Sequence, residues 1–251
     1  MNSDSSNEQG ETRLDRTRSL LGDAAMRRLA RSRVLVVGVG GVGSFAAECL
    51  ARSGVGRLVL ADPDSVCLSN LNRQLQATTA TLGRPKAEAM ADRLRDVAPE
   101  LDVRPVVAAY SPDHPDALLD PAPDFVVDAI DSLGAKCHLL ATCRERGIPV
   151  VTSTGSAGRI DPSRVRVDDL ARTDVDPLAK MARKLLRRRY RFPPRGRFGI
   201  PAVFSTEDPN APDAPGAVPS APSAPRGSMA CVTGVFGLNC AAIVLRALAG
   251  R

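Results

Sequence analysis

The stretch Gly38-Val-Gly-Gly-Val-Gly-Ser44 offers the first chemistry in this chain. Gly38, Gly40 and Gly43 have the G-x-G-x-x-G spacing with which a backbone closes on a phosphate. Only glycine lets main chain come that near. A helix opening at this point presents unpaired N–H groups and the positive end of its dipole to the anion. Gly40 and Gly41 are the expected phosphate seat, and Ser44 opens the helix. Asp62, after the next apolar run, stands where an acid accepts hydrogen bonds from a ribose. The motif does not choose among nucleotides, and a ligand-free strand-turn-helix is the plain alternative.

Further along come Asp64, Asn70, Arg73, Lys86 and Asp131. Hydride transfer needs no extra cations here, whereas a triphosphate does. ATP brings roughly four negative charges, and a pentacoordinate transition state at the α-phosphate is stabilised by fixed positive groups. Arg73 and Lys86 could supply them. Asp131 could hold Mg²⁺, which takes only one or two carboxylates beside phosphate oxygens and water. A surface lysine and a helix N-cap are the simpler readings of Lys86 and Asp131.

Those residues need elements to position them, and the apolar spacing supplies the elements. Residues 13–31 read as a helical arm, 33–37 as a strand and 42–53 as its helix. A second strand covers 57–61, and 69–76 is a loop or short helix. A helix follows at 86–98, with Pro85 where a missing N–H costs little. Strands are predicted at 102–108, 125–129 and 149–153, with a helix over 135–146 stopped by Gly147. Residues 165–167 suit another strand, a basic helix starts at Asp176, and an apolar helix covers 234–248. Strands alternating with helices predict a Rossmann-like α/β fold, a mostly parallel sheet flanked by helices with its ligand at the strands' C-terminal ends. Residues 1–12 are polar and expected to be disordered, and 13–251 form one domain. Six prolines among 206–226 predict a flexible Pro/Ala-rich insertion before the C-terminal extension.

Composition narrows the class. An apolar share of 43% and a charged share of 25% suit a soluble globular protein. The six cysteines form no C-x-x-C pair, which favours reduced thiols in the cytoplasm over disulfides or a structural zinc site. The apolar run 232–248 contains Asn239 and Arg246 and is short for a membrane span, so a core helix is expected. The net charge of +6 is local: nine basic residues and no acid lie between Pro177 and Thr206, and without them the chain would be net acidic. Arg183, Lys184, Arg187, Arg188, Arg189 and Arg191 therefore point to a polyanionic partner, with a solvated helix face as the alternative.

Together these residues carry a resemblance. The glycine run 38–44, Asp62, Ser69-Asn-Leu-Asn-Arg-Gln74, Gly83-Arg-Pro-Lys86 and Asp128-Ala-Ile-Asp131 resemble the signature of the ubiquitin-activating-enzyme-like superfamily. The resemblance implies a homodimeric enzyme that adenylates a carboxylate with ATP. Arg13-Leu-Asp-Arg16-Thr resembles the arm that carries an arginine into the neighbouring subunit, which makes Arg16 the implied trans-acting residue. An exposed helix arginine is the alternative. A second set, Thr154-Gly-Ser-Ala-Gly158, Ile160-Asp-Pro162, Val167-Asp-Asp-Leu-Ala171, Asp176-Pro-Leu-Ala179 and Val203-Phe-Ser-Thr-Glu207, is similar to the bacterial tRNA threonylcarbamoyladenosine dehydratases. That likeness implies tRNA as substrate, modified next to the anticodon, with the basic helix meeting its phosphates. The implied cofactors are ATP and Mg²⁺, with a monovalent cation left open. Cysteine-desulfurase sulfur-relay proteins are implied partners to be tested. The competing readings are a sulfur-carrier-protein adenylyltransferase of molybdopterin or thiamine synthesis, and a nucleotide-binding scaffold or NAD-dependent oxidoreductase.

Overall fold

The computed structural model describes residues 11–209 and 227–250. Seven strands form one sheet: β1 (Arg33–Val37), β2 (Arg57–Ala61), β3 (Asp102–Val106), β4 (Phe125–Asp128), β5 (Val150–Ser153), β6 (Val165–Asp169) and β7 (Pro201–Ser205). Their order is β3-β2-β1-β4-β5-β7-β6, parallel throughout except for β6, which runs antiparallel to β7 at the edge. The chain leaves β1 toward β2 on one side and pairs it with β4 on the other, so the switch point lies at the C-terminal end of β1.

Strand side chains alternate between two cores. Val34, Val36, Leu58, Leu60, Val127 and Val151 face one layer of helices, while Leu35, Val37, Val59 and Val126 face the other. The first layer contains α2 (Asp23–Arg31), α3 (Gly43–Arg52), α4 (Lys86–Val97) and α8 (Ala230–Ala249). The second contains the short α5 (Asp116–Leu119), α6 (Leu133–Glu145) and α7 (Pro177–Tyr190). Fully burying one Val, Leu or Phe side chain is worth about 1.5–3 kcal/mol, so the two faces together drive the layering. The helix α8 is long and apolar enough to span a membrane, yet Val232, Phe236, Cys240 and Val244 pack into the first core, as expected of a core helix.

Three expectations are corrected. The arm is not one helix: α1 (Asp15–Leu21) ends and α2 begins at Gly22, whose φ of 79° breaks the helical path. A strand was not expected at Pro201–Ser205, yet β7 joins β5 to β6 inside the sheet. The short α5 was also unforeseen. The larger part of the 206–226 insertion, and most of the tail, lie outside the described residues.

Candidate active site

A cleft of ≈ 1000 Å³ opens at the C-terminal ends of the central strands. It is lined by Gly38, Gly40, Gly41, Asp62, Asp64, Asn70, Arg73, Lys86 and Asp131, so residues spread over much of the first half of the chain meet in one place. Gly38 makes the closure possible. Its φ is +89°, and a Cβ would come within 2.6 Å of the Ala129 carbonyl oxygen at the end of β4. Two expected nucleotide-binding residues are placed differently. Gly43 and Ser44 are absent from the cleft lining. A Cβ on Gly43 would fall onto the Gly38 carbonyl, so this glycine serves the packing of α3 on β1. Ser44 is buried, and its hydroxyl accepts from the Leu75 amide at 3.4 Å.

Asp62 does two things at once. Its Oδ2 accepts the Val39 amide at 2.7 Å and its Oδ1 the Asp64 amide at 2.9 Å, which ties the glycine turn to the end of β2. Each carboxylate oxygen has another lone pair for a ribose hydroxyl. Burial pushes its carboxyl above the ordinary 3.8, while the two amides and Lys86 pull it back. Lys86 is not a surface lysine: it is 7% exposed, and its Nζ donates to Asp64 Oδ2 at 2.7 Å. The Arg73 guanidinium donates to the Ser69 carbonyl at 2.7 Å and to Asn72 Oδ1 at 2.9 Å, which fixes it at the cleft. Asn70 shapes that turn by accepting the Cys67 amide at 3.0 Å. Asp131 is exposed at the cleft, and the N-cap of α6 is Ser132, so Asp131 is left for another partner.

The basic helix adjoins this cleft. Pro177, Leu178 and Met181, from the first turns of α7, line it. Met181 also borders an open groove formed by Lys180, Arg183, Lys184, Arg187 and Arg188. Lys180, Lys184 and Arg188 follow one another at four-residue spacing and are exposed. Arg183 donates to Thr173 Oγ1, and Arg187 lies over the Phe198 ring at 5.1 Å, so these two are partly committed to packing. Arg189 and Arg191 are exposed. Arg16 is exposed on α1 and is not part of the cleft lining of its own chain.

A match to the ThiF family spans residues 14–251. The tRNA threonylcarbamoyladenosine dehydratase of Escherichia coli is 43% identical over 193 residues, 76% of this chain and 72% of that protein. The chain belongs to the ThiF family, in its tRNA threonylcarbamoyladenosine dehydratase branch. The Bacillus subtilis dehydratase is 41% identical over 75% of this chain and 72% of its own length. The solved E. coli dehydratase in complex with ATP superposes with a TM-score of 0.86 at 38% identity, covering 95% of this chain and 94% of that one. By contrast, the E. coli molybdopterin-synthase adenylyltransferase, 41% identical, aligns with only 53% of this chain. That shorter match sets the adenylyltransferase apart from the dehydratases, which align with about three quarters of this chain.

The site of this ThiF-family chain also rests on two buried ion pairs that sequence reading missed. Lys136 Nζ donates to Asp128 Oδ2 at 2.6 Å, to Thr152 Oγ1 at 3.2 Å and to the Ser153 carbonyl at 2.9 Å. The other oxygen of Asp128 accepts the Ile130 amide at 3.1 Å, one residue before Asp131. Arg159 Nη2 donates to Asp176 Oδ2 at 3.0 Å, beside Thr154 Oγ1 at the same distance. Asp176 Oδ1 meanwhile caps α7 through the Ala179 amide at 2.8 Å. The lone signal for the second pair was Asp-Pro-Leu at the start of a helix. The first had none.

Proposed function

We propose that this protein spends ATP to remove water from threonylcarbamoyladenosine in tRNA, next to the anticodon, closing the modification to its cyclic form. One observation carries the reading: the cleft gathers the glycine turn, Arg73, Lys86 and Asp131, and its far wall is the first turn of a basic helix. The threonyl carboxylate is a poor electrophile. Its oxygen attacks the α-phosphate of ATP, the bond to the β-phosphate bridging oxygen breaks, and pyrophosphate leaves. A nitrogen or oxygen of the same modification then attacks the activated carbonyl, and AMP departs with the carboxylate oxygen. Ring closure is intramolecular, with effective molarity on the order of 10⁵ M or more in well-oriented cases, so no covalent enzyme nucleophile is needed.

The roles follow from placement. Gly40 and Gly41 seat the phosphates, Asp62 takes the ribose, and Arg73 and Lys86 balance the charge that builds at the α-phosphate. Lys86 reaches this role by exchanging its Asp64 contact for phosphate. Among the described residues no cluster of three or more His, Cys, Asp or Glu is arranged as a metal cage. That suits Mg²⁺, which brings water and phosphate oxygens of its own, and Asp131 would hold it, supplying charge neutralisation. No residue is assigned to a monovalent cation. Residues 13–251 act as one catalytic unit in a homodimer, where Arg16 enters the neighbouring cleft. Sulfur-relay proteins remain expectations of the family resemblance, and a cytoplasmic location follows from the substrate.

The test is nucleoside mass spectrometry of modified tRNA incubated with protein, ATP and Mg²⁺. The modified adenosine loses the mass of one water only when ATP is present. Pyrophosphate release that answers to a Gly-Gly-ended carrier protein and not to tRNA would overturn the assignment.

A further inference from the structure

The basic surface continues past α7. Arg191 adopts a left-handed conformation, with φ of 55°, and turns the chain back. Residues 192–198 then form a loop closed by two buried rings: Phe192 and Phe198 meet edge to face with centroids 4.9 Å apart. Each ring carries a guanidinium, Arg144 over Phe192 at 4.4 Å and Arg187 over Phe198 at 5.1 Å. Arg187 Nε also donates to the Pro193 carbonyl at 3.2 Å. At the end of the loop, the Asp169 carboxylate accepts the amides of Phe198 at 2.9 Å and Gly199 at 2.7 Å. Pro193 and Pro194 restrict the backbone further.

What this frame presents outward is Arg195 and Arg197. Both are exposed, and neither makes a hydrogen bond or ion pair among the described residues. Holding two like charges close together on a stiffened loop gains nothing for folding, since self-repulsion opposes it. It suits a partner that brings regularly spaced negative charge. The position suits one partner in particular. Pro177, the first residue of α7, lines the cleft, and the loop follows directly after Arg191, just past the last. The 14 residues of α7 put about 20 Å between those ends at 1.5 Å per residue. With phosphates about 3.4 Å apart along a strand's axis, that is several phosphates beyond the reacting nucleotide.

We propose that the 192–198 loop is a second, preorganised grip on the RNA, in which Arg195 and Arg197 hold phosphates of the paired stem while the modified loop nucleotide occupies the cleft. The proposal rests on the tRNA reading of α7. Binding is measured by filter retention across a salt series, with full-length modified tRNA and with a modified single-stranded oligonucleotide of the anticodon loop alone. Each duplex phosphate neutralised by a protein cation contributes about 0.9 to the log–log salt slope, so the double variant R195A/R197A flattens the slope on tRNA by about 1.8. On the loop oligonucleotide its slope matches the wild type. R195K/R197K, which keeps both charges, restores the slope on tRNA. K180A/K184A/R188A flattens the slope on both RNAs. A wild-type slope for R195A/R197A on tRNA, beside a flattened one for the α7 variant, rejects the loop and leaves α7 standing. Equal flattening on both RNAs also rejects it, because the arginines would then sit at the loop nucleotides. Wild-type slopes for both variants reject the tRNA reading of α7, and this proposal with it.

Discussion

Replacing Lys136 with Met removes the charge from a site where nothing can substitute for it. The Lys136 side chain is 2% exposed and that of Asp128 is 0% exposed, so water cannot reach the carboxylate left behind. Three donated bonds go together, to Asp128, Thr152 and the Ser153 carbonyl. Breaking a buried pair by deleting one partner costs about 3–5 kcal/mol. For a chain of this size each kcal/mol moves Tm by about 2–4 °C, so K136M should melt roughly 10 °C below the wild type. The loss carries into the site, because Asp128 positions the Ile130 amide and with it the turn that presents Asp131. At a temperature where K136M is still folded, tRNA-dependent pyrophosphate release should fall by up to about 100-fold, as expected of a misplacement near 1 Å. The second-site variant D128N in the K136M background removes the stranded charge, keeps an acceptor for Ile130, and should recover most of the Tm. Differential scanning calorimetry and a coupled pyrophosphate assay read both. A Tm drop below about 2 °C for K136M would show that the pair contributes almost nothing, and the reasoning would be wrong.

The remaining predictions concern titration, assembly and thiols. Because burial raises the Asp62 carboxyl in the folded chain, its contribution to stability is fullest below 3.8 and is lost as pH climbs through the raised value. On the proposed reading function runs the other way, since a ribose hydroxyl as well as the Val39 and Asp64 amides would need the carboxylate. The KM for ATP should therefore rise on acidification at a pH above the ordinary 3.8, and Asp62→Asn should abolish that dependence. A KM unchanged down to about pH 4 would contradict it. Equal mixing of R16A and R73A subunits should restore about a quarter of wild-type turnover, because in each mixed dimer one cleft has both arginines intact. Recovery no greater than either parent would place Arg16 in its own subunit's chemistry or in none. Thiol labelling of native protein should reach Cys67 and Cys231, which are exposed, without loss of pyrophosphate release. Cys137, Cys143 and Cys240, which burial pushes up to about 11, 12 and 12, should label only on unfolding, and fast native labelling of any of them would refute the packing described.

The parts of the fold visible in the sequence are those set over short range. The run from Val34 into Gly38 and on into α3 declares a strand, a turn and a helix through residue type alone, and β2, α4 and β4 follow from the same local periodicity. The strand β7 was invisible for the opposite reason. It opens with Pro201, follows a stretch rich in proline, glycine and arginine, and owes its state to lying between β5 and β6. The break at Gly22 was missed because a lone glycine inside a helical pattern costs only about 1 kcal/mol relative to alanine and does not by itself announce a stop.

The same division runs through the site. Gly38, Asp62, Arg73, Lys86 and Asp131 each follow a turn or a strand end and so could be named in advance, but what holds them could not. Lys136 sits between Ala135 and Cys137 in a helical stretch, where lysine ordinarily means solvent. Its partner is eight residues back on β4 and comes within reach only once the sheet has formed. Asp176 was legible as the start of a helix through one oxygen, while the other receives Arg159 from the loop after β5. That second bond has a mechanical consequence. The loop 154–159 and the N-terminus of α7 share one carboxylate with side-chain exposures of 1% and 0% for the pair, so the helix that would carry RNA cannot turn without disturbing the cleft wall. A displacement of α7 by a docked polyanion would therefore be passed to residues 155–157, which line the cleft.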